Sequence, residues 1–390
     1  MARVGVAPSD ERDEDAGDEG VREAAAPLLD AERLGAYLAA AIPGFGTLRR
    51  VEKFAGGQSN PTFLLEADGG RFVLRRKPPG KLLRGAHAVD REFRVMAALA
   101  GTDVPVPRVR HLCADESVCG AMFYVMDHVA GRVFFEARMP DLSVEQRAAA
   151  YDAMNDTLAR LHRIDPAGIG LADFGRPGGY FARQRARWVE NYRASATRSR
   201  PEIDAAIAWL EANEPPDDGS VALVHGDFRH DNMIFGLDAT GLPGPQGAPA
   251  QALGPDAPRS AVPMPRVLAL IDWELSTLGH PLADLAYQVA QWRLPAQGAF
   301  FKGLGGLDRA ALGIPGEEAY VEAYMRRRGL ADLPHWRFAV VFSLFRLAAI
   351  LEGVYRRALD GNASNRESGL LMGETVPVLA RLAAEEIARG

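Results

Sequence analysis

The chain has 390 residues, 47% of them hydrophobic and 25% charged, with two cysteines and a net charge of −6. Such a composition suits a globular chain long enough for two lobes, and it excludes wholesale disorder, a fibrous repeat and a disulfide-stapled scaffold. Eight acids and three arginines fall within residues 1–25, a balance of −5, which leaves −1 for the rest. The body therefore lacks the basic excess of a nucleic-acid binder.

In chain order, residues 1–28 show no apolar periodicity and are expected to be a disordered acidic tail. Asp30 is the expected N-cap of AERLGAYLAAAI, whose Leu34, Tyr37, Leu38 and Ile42 share one helical face, and Ile42-Pro43-Gly44 ends that helix. From Leu48 to Val129 the pattern becomes short strands, LRRVEKFA, TFLLEA, RFVLRRK and MFYVMDHV, with one helix, HAVDREFRVMAALAG, between the third and fourth. Strands around a single helix predict a small α+β lobe over residues 29–126.

Residues 127–390 predict a larger, mainly helical lobe. Helices are expected at Val144 to Ile164, Tyr180 to Ala196, Arg200 to Ala212, Pro281 to Gln291, Glu317 to Arg328, His335 to Leu359 and Glu374 to Arg389. The long apolar run from Phe338 to Tyr355 is interrupted by Arg346 and Glu352, charges that suit a buried core helix better than a bilayer span. No apolar leader opens the sequence. Cys113 and Cys119 are too few to staple it and have no histidines at zinc-ligand spacing, so a reducing cytoplasm is the expected compartment.

Two short strands interrupt the helical lobe, LVHGDFRHDNMIF and VLALIDWELS, separated by a Gly-, Pro- and Ala-rich stretch, 236–266, that is expected to be a flexible hairpin insertion. Their polar ends are HGDFRHDN (225–232) and Ile271-Asp272-Trp273-Glu274. A phosphoryl-transfer site needs one carboxylate to accept the proton of an attacking hydroxyl. It also needs oxygen ligands from a second carboxylate and an amide to hold Mg2+ on nucleotide phosphates. Asp227, Asp272 and Asn232 supply those chemical types beside strands that can converge on one hairpin mouth.

HGDFRHDN, IDWE and the downstream GHPLADLAY resemble the aminoglycoside phosphotransferase and choline kinase group of small-molecule kinases. FAGGQSNPTFLL, FVLRRKPPG, HAVDREFRVMAAL, FYVMDHVAGRVF and GYFARQRARW are most similar to its acyl-CoA dehydrogenase-associated branch. The resemblance implies a two-lobed, protein-kinase-like α+β fold. It implies that Asp227 is the catalytic base, that Asn232 and Asp272 are the magnesium ligands, and that Glu92 is the acidic partner of a basic strand residue. Gly56, Gly57 and Ser59 stand in place of the glycine-rich phosphate loop, although a Gly-Gly hairpin turn explains the same residues. Met126 to Val129 fit the hinge that receives adenine.

The position of the protein-kinase strand lysine here reads Phe72-Val73-Leu74-Arg75. Strand alternation puts Arg75 and Lys77 on one face and Arg76 on the other, so either of the first two can meet phosphate, with Arg75 favoured because related members read V-L-R. Trp273-Glu274 replaces Phe-Gly, and so bulky a pair is expected to prevent activation-loop switching; Glu274 can add a contact near the metal. Asp284 resembles a structural acceptor that holds the catalytic loop, and His225 and His280 read as loop-orienting histidines. His162, on the LARLHRID helix, is expected to pack or to face solvent.

For the acceptor, Tyr180, Arg183 and Arg187 recur at spacings of three and four and so share a helix face. A basic, aromatic face suits an anionic, partly apolar acceptor such as a hydroxyacyl-CoA or hydroxy acid better than a polycationic aminoglycoside, while a solvated face explains the same arginines. The sequence thus predicts a phosphotransferase that uses ATP, or GTP, with Mg2+ on a hydroxyl of a small molecule. It is expected to act as a monomer or homodimer, without nucleic-acid or membrane partners. The alternatives are an antibiotic kinase and a non-catalytic nucleotide-binding pseudokinase, against which intact Asp227, Asn232 and Asp272 argue.

Overall fold

The alternation of apolar residues in the first lobe has a direct structural counterpart. A computed structural model describes residues 29–54, 60–78, 88–236, 263–298, 300–363 and 365–389. The expected acidic tail, Gly56, Gly57 and Ser59, and the interior of the expected insertion lie outside these residues. Helix α1 (Ala31–Ala41) starts at Asp30, whose carboxylate accepts from the Arg33 N–H at 3.0 Å as an N-cap. Strands β1 (Leu48–Lys53), β2 (Thr62–Ala67) and β3 (Gly70–Arg76) are followed by helix α2 (Val89–Leu99). Then come β4 (Val109–Cys113), the short helix α3 (Glu116–Cys119) and β5 (Phe123–Asp127). They form one antiparallel sheet in the order β1-β2-β3-β5-β4.

One face of this sheet, with Phe63, Leu65, Phe72, Leu74, Phe123 and Val125, packs under α1. The other, with Val73, Tyr124 and Met126, packs against Val95, Met96 and Leu99 of α2 and continues into the core of the second lobe. Period-two alternation thus sends odd and even residues of β3 to different environments. Arg76 lies on the α1 face, buried, donating to the carbonyl of Cys119 at 2.7 Å, whereas Arg75 points into the cleft between the lobes. Neither β4 nor α3 was expected from the sequence, because both are short and β4 is only partly buried.

Residues 128–130 join the lobes, and Arg132 exchanges two 2.8 Å backbone hydrogen bonds with Phe235. The close approach requires Gly131, where a Cβ would lie 2.6 Å from the Phe235 carbonyl oxygen. The second lobe contains α4 (Val144–Arg163), α5 (Tyr180–Ser195) and α6 (Pro201–Ala212). Strands β6 (Ala222–Val224), β7 (Met233–Gly236), β8 (Arg266–Leu270) and β9 (Thr277–Gly279) follow. The chain closes with α7 (Leu282–Arg293), α8 (Arg309–Leu312), α9 (Glu317–Arg328), α10 (Trp336–Leu359) and α11 (Arg366–Ala388). The last helix begins eight residues before the expected Glu374, where Asn365 caps it by accepting from Ser368 N–H at 2.9 Å.

Helix α10 is long and apolar enough to cross a membrane by composition alone, with a mean hydropathy of 1.8 in its best window, but 78% of that window is buried inside the fold. Its two interrupting charges are buried and bonded. Glu352 accepts from the Thr197 N–H at 2.7 Å and hydroxyl at 2.6 Å, and Arg346 donates to the carbonyl of Gly226 at 2.7 Å.

Strands β7 and β8 pair antiparallel down to Gly236↔Arg266, so the ends of the expected insertion are strand rather than flexible chain. Paired Cα atoms this close can be joined by a tight turn. Replacing residues 241–262 with a short Gly-containing turn should leave the melting temperature within about 2 °C of the parent, because shortening a loop changes its closure entropy by less than about 1 kcal/mol. A fall of ten degrees or more in a thermal melt would mean that the segment packs on the fold.

Candidate active site

The loop after β6 is held from behind by α7. Asp284, in the first turn of that helix, is fully buried, and its carboxylate accepts from the N–H of His225 at 2.7 Å and of Gly226 at 2.8 Å. His162 of α4 reaches the same carboxylate through Nε2 at 3.2 Å, while its Nδ1 meets the Tyr324 hydroxyl at 2.7 Å. Burial pushes the Asp284 carboxyl up, yet His162, His225 and the Gly226 N–H outweigh it and hold it below the ordinary range. The expectation that His162 packs or faces solvent is corrected: it is a buried polar link between α4, α7 and α9. Gly226 has φ +86°, and a Cβ there would sit 2.5 Å from the Leu275 carbonyl oxygen, so no other residue fits without displacing the loop.

His225 couples this loop to the one after β8. Its Nδ1 accepts from the Asp227 N–H at 3.2 Å, which makes Nε2 the protonated nitrogen, and Nε2 donates to the carbonyl of Ile271 at 3.0 Å. The β7–β8 register, Met233↔Leu270, sets Asn232 beside the same segment, where its carbonyl accepts from Ile271 N–H at 2.9 Å. Asp227, Asn232 and Asp272 therefore meet at one hairpin mouth. Asp272 holds φ +67°, a sparsely populated conformation for a residue with a side chain.

Around Asp227 the donors are concentrated. Asn232 Nδ2 donates to its Oδ2 and to its carbonyl, both at 2.9 Å, which leaves Asn232 Oδ1 turned away from that carboxylate. The Tyr287 hydroxyl of α7 faces the same carboxylate. Arg229, bound to Asp231, lies 3.8 Å from Asp227. Burial pushes the Asp227 carboxyl up, but Arg229, Tyr287, His225 and Asn232 together hold it below the usual carboxylate range.

The opposite wall is built by the small lobe. Arg75 on β3 lies 2.6 Å from Asp272 Oδ1, 3.2 Å from Glu92 on α2 and 3.7 Å from Glu274. Glu92 is fully buried and also accepts from Asn60 and from the Tyr124 hydroxyl, both at 3.1 Å. Asn60 reaches Glu274 at 3.3 Å across the cleft. Burial pushes the Glu92 carboxyl up to about 8, opposed by Arg75 and reinforced by Asp272 and Glu274. Lys77, the alternative phosphate cation, is turned outward to Asp90 at 3.6 Å. Met126 lies on the cleft side of β5, and Val129 lies in the connection between the lobes.

The expected acceptor residues are used differently from each other. Tyr180 is buried against Gly279, and Arg183 spends its donors on the carbonyls of Gly178 and Arg176, tying down the turn before α5. Of the three only Arg187 is exposed, 5.6 Å from the Trp188 ring. Arg346 approaches that ring at 5.7 Å and the Tyr287 ring at 5.4 Å. His280 accepts from Leu282 N–H at 3.2 Å and caps the start of α7, as expected of a loop-orienting histidine. Sequence reasoning missed Tyr287, Arg229, Arg346 and Tyr124 as parts of the site, and it placed Asn60 in the phosphate loop rather than beside Glu92 and Glu274. Arg346 had left a signal, a charge inside an apolar run, and Arg229 and Tyr287 sit inside the two motifs already singled out.

With this geometry in place, comparison with known proteins gives a consistent result. A family profile described as the phosphotransferase enzyme family matches residues 50–244. The rat protein named acyl-CoA dehydrogenase family member 11 is 40% identical over 357 residues, covering 90% of this chain and 42% of the relative. The chain thus spans less than half the length of the curated relatives it matches. The crystal structure of a Ralstonia eutropha protein named for aminoglycoside phosphotransfer is 42% identical with a TM-score of 0.77, covering 92% of this chain and 98% of the other. The spectinomycin phosphotransferase APH(9)-Ia, solved with ADP and spectinomycin, is 12% identical with a TM-score of 0.56, covering 92% and 99%, and shares the fold.

The buried His162 makes a pH prediction. Burial lowers its pKa despite Asp284, so the folded chain takes up a proton less readily than the unfolded chain, whose histidines titrate near ~6.5. The stabilisation that neutral His162 provides is complete above that pH and is lost as pH falls through it. His162→Gln should therefore cost about 1–3 kcal/mol at pH 7.5, and the gap to the parent should narrow on going to lower pH. Denaturant melts across that range check it; a gap that widens in acid would contradict the assignment.

Proposed function

Because this chain belongs to the phosphotransferase enzyme family, we propose that it moves the γ-phosphoryl group of a nucleoside triphosphate, ATP or GTP, onto a hydroxyl of a small molecule. The observation that carries this reading is the meeting of Asp227, Asn232 and Asp272 with Arg75 and Glu92, from two lobes, in one cleft. Asp227, held ionised, takes the proton of the acceptor hydroxyl as that oxygen bonds to the γ-phosphorus. The bond from phosphorus to the bridging oxygen breaks, and the nucleoside diphosphate leaves. Arg75 would face the α- and β-phosphates, Gly56, Gly57 and Ser59 are the candidate phosphate loop by sequence, and the stretch from Met126 to Val129 would receive the base.

Magnesium, when bound, neutralises phosphate charge and fixes the phosphates in line. Asn232 Oδ1 and Asp272 would hold it, with Glu274 nearby, and the donor set fits an oxygen-seeking cation. Glu92, Asp272 and Glu274 bring carboxylate oxygens within 4.8 Å of one another, more negative charge than Arg75 neutralises. For the acceptor, an anionic and partly apolar molecule such as a hydroxyacyl thioester or a hydroxy acid is favoured. Arg187 and Arg346 beside Trp188 and Tyr287 support it, as does the name of the acyl-CoA dehydrogenase relatives.

Asp227→Asn should keep nucleotide binding and lower turnover by roughly 10²–10⁴-fold, whereas Asp272→Ala should abolish the magnesium-dependent part of nucleotide binding. Full turnover in Asp227→Asn would remove it from the role of base. A separate measurement distinguishes the two cations: Arg75→Met should weaken nucleotide binding about tenfold or more, and Lys77→Met should leave it within about twofold. Titration with a fluorescent nucleotide reads both, and the reverse order would give the phosphate contact to Lys77.

A further inference from the structure

Beside the catalytic loop the surface carries an apolar feature that the proposed chemistry leaves unused. Phe135 is 82% exposed, an unusual state for a side chain whose burial would be favourable. Its neighbour Phe134 is buried on Phe235 of β7, 5.4 Å between ring centroids, which fixes this segment next to the hairpin mouth. Phe135 thus stands between Phe134, seated on β7, and Glu136, which is paired with Lys302. From the loop after α7 come Phe300 and Phe301, packed edge to face at 4.9 Å and only partly buried. Lys302 bonds Glu136 at 2.8 Å and so ties the two loops together. The guanidinium of Arg229 lies 5.3 Å from the centre of the Phe301 ring while its Nε is 3.8 Å from Asp227, so Phe301 is linked to Asp227 through one side chain, and the Lys302–Glu136 pair brings the Phe135 loop to the same edge.

The charges along this edge are already satisfied. Asp231 is bound to Arg229, and Glu136 to Arg138 and Lys302. A polycationic acceptor would find these carboxylates occupied, whereas a hydrocarbon chain would find three phenylalanines leading to the base. We propose that Phe135, Phe300 and Phe301 form a lip that takes the alkyl chain of the acceptor whose hydroxyl is presented to Asp227, so that they select for chain length. The inference rests on the phosphotransferase reading and deepens it by assigning the apolar half of the acceptor to named residues. Each methylene buried on the lip raises kcat/KM by about fourfold, and the nucleotide site does not sense it.

The test is a series of straight-chain hydroxyacyl-CoA thioesters of increasing length, assayed with the parent and with Phe135→Ser combined with Phe300→Ser. The parent should gain about fourfold in kcat/KM per methylene until the lip is filled. The double variant should gain less than about twofold, with an unchanged nucleotide KM. Phe135→Ser alone changes an exposed side chain and guards against a folding defect, and it should already flatten the series. An unaltered length dependence in both variants overturns the lip while leaving the phosphotransferase reading standing. Turnover of aminoglycosides with none of the thioesters overturns the acyl acceptor and the lip with it. If instead the parent is a dimer that Phe135→Ser separates with the length dependence intact, the patch is an interface between copies and the inference is wrong.

Discussion

The buried carboxylate of Asp284 is the constraint from which the site is built. A charge removed from water is costly unless its lone pairs are met, and here two backbone N–H groups of the loop and the His162 ring meet them. The requirement runs both ways: the N–H groups of His225 and Gly226 are themselves buried and have no strand to pair with at that point, so the loop can adopt only the conformation that reaches the carboxylate. Gly226 permits the left-handed turn, and Arg346 takes the outward-facing carbonyl from the far side. From this fixed loop, His225 sets the position of the second loop through the Ile271 carbonyl, and so the placement of Asp227 and of Asp272 is coupled.

The same economy governs the small lobe's side of the cleft. Arg75 brings one positive charge to three carboxylates, and none of the three is redundant. Glu92 orients the guanidinium from α2, Asp272 draws it toward the hairpin mouth, and Glu274 is linked to Glu92 through Asn60. Burial is the main reason the Glu92 pKa is raised, with Asp272 and Glu274 reinforcing it against Arg75. The cluster thus concentrates three carboxylates on one guanidinium at the cleft wall.

Much of this was legible in the sequence, and the boundary of legibility is physical. Residue types and order singled out Asp227, Asn232 and Asp272, and the family resemblance singled out Asp284 as a structural acceptor; the structure brings the first three to one hairpin mouth and buries the fourth behind the loop. Alternation along β3 placed Arg75 and Lys77 on one face but could not choose between them. The choice depends on Glu92, Asp272 and Glu274, which reach Arg75 only through the packing of α2 and the hairpin. His162 was read as packing or solvent-facing, and Tyr287 was passed over, because a buried polar link differs from a packed side chain only by what stands opposite it. Arg183 was misread for the related reason that a basic residue near a helix start serves equally to receive an anion or to hold the preceding turn, and the carbonyls of Arg176 and Gly178 decide for the turn. Short strands such as β4 and β9 carry too few residues for their period to register.

The segment after Asp272 shows why this fold needs no rearrangement to assemble its cleft. Only Trp273 to Pro281 separate that aspartate from α7. Trp273 is fully buried, bonds the Leu270 carbonyl at 3.0 Å and packs 4.6 Å from the His225 ring, and Thr277–Gly279 pair with β6. Too little chain remains to swing out as a switch. Helix α2, which carries Glu92, is pinned as firmly: Arg91 donates to the carbonyls of Phe174 and Ser276 and lies 4.1 Å from the Phe174 ring, and Arg94 is paired with Asp173. Both elements that would have to move to disassemble the site are anchored to the second lobe. Any selectivity must then act on entry to the cleft rather than on its construction, at the mouth where Arg229 stands between Asp227 and the Phe301 ring.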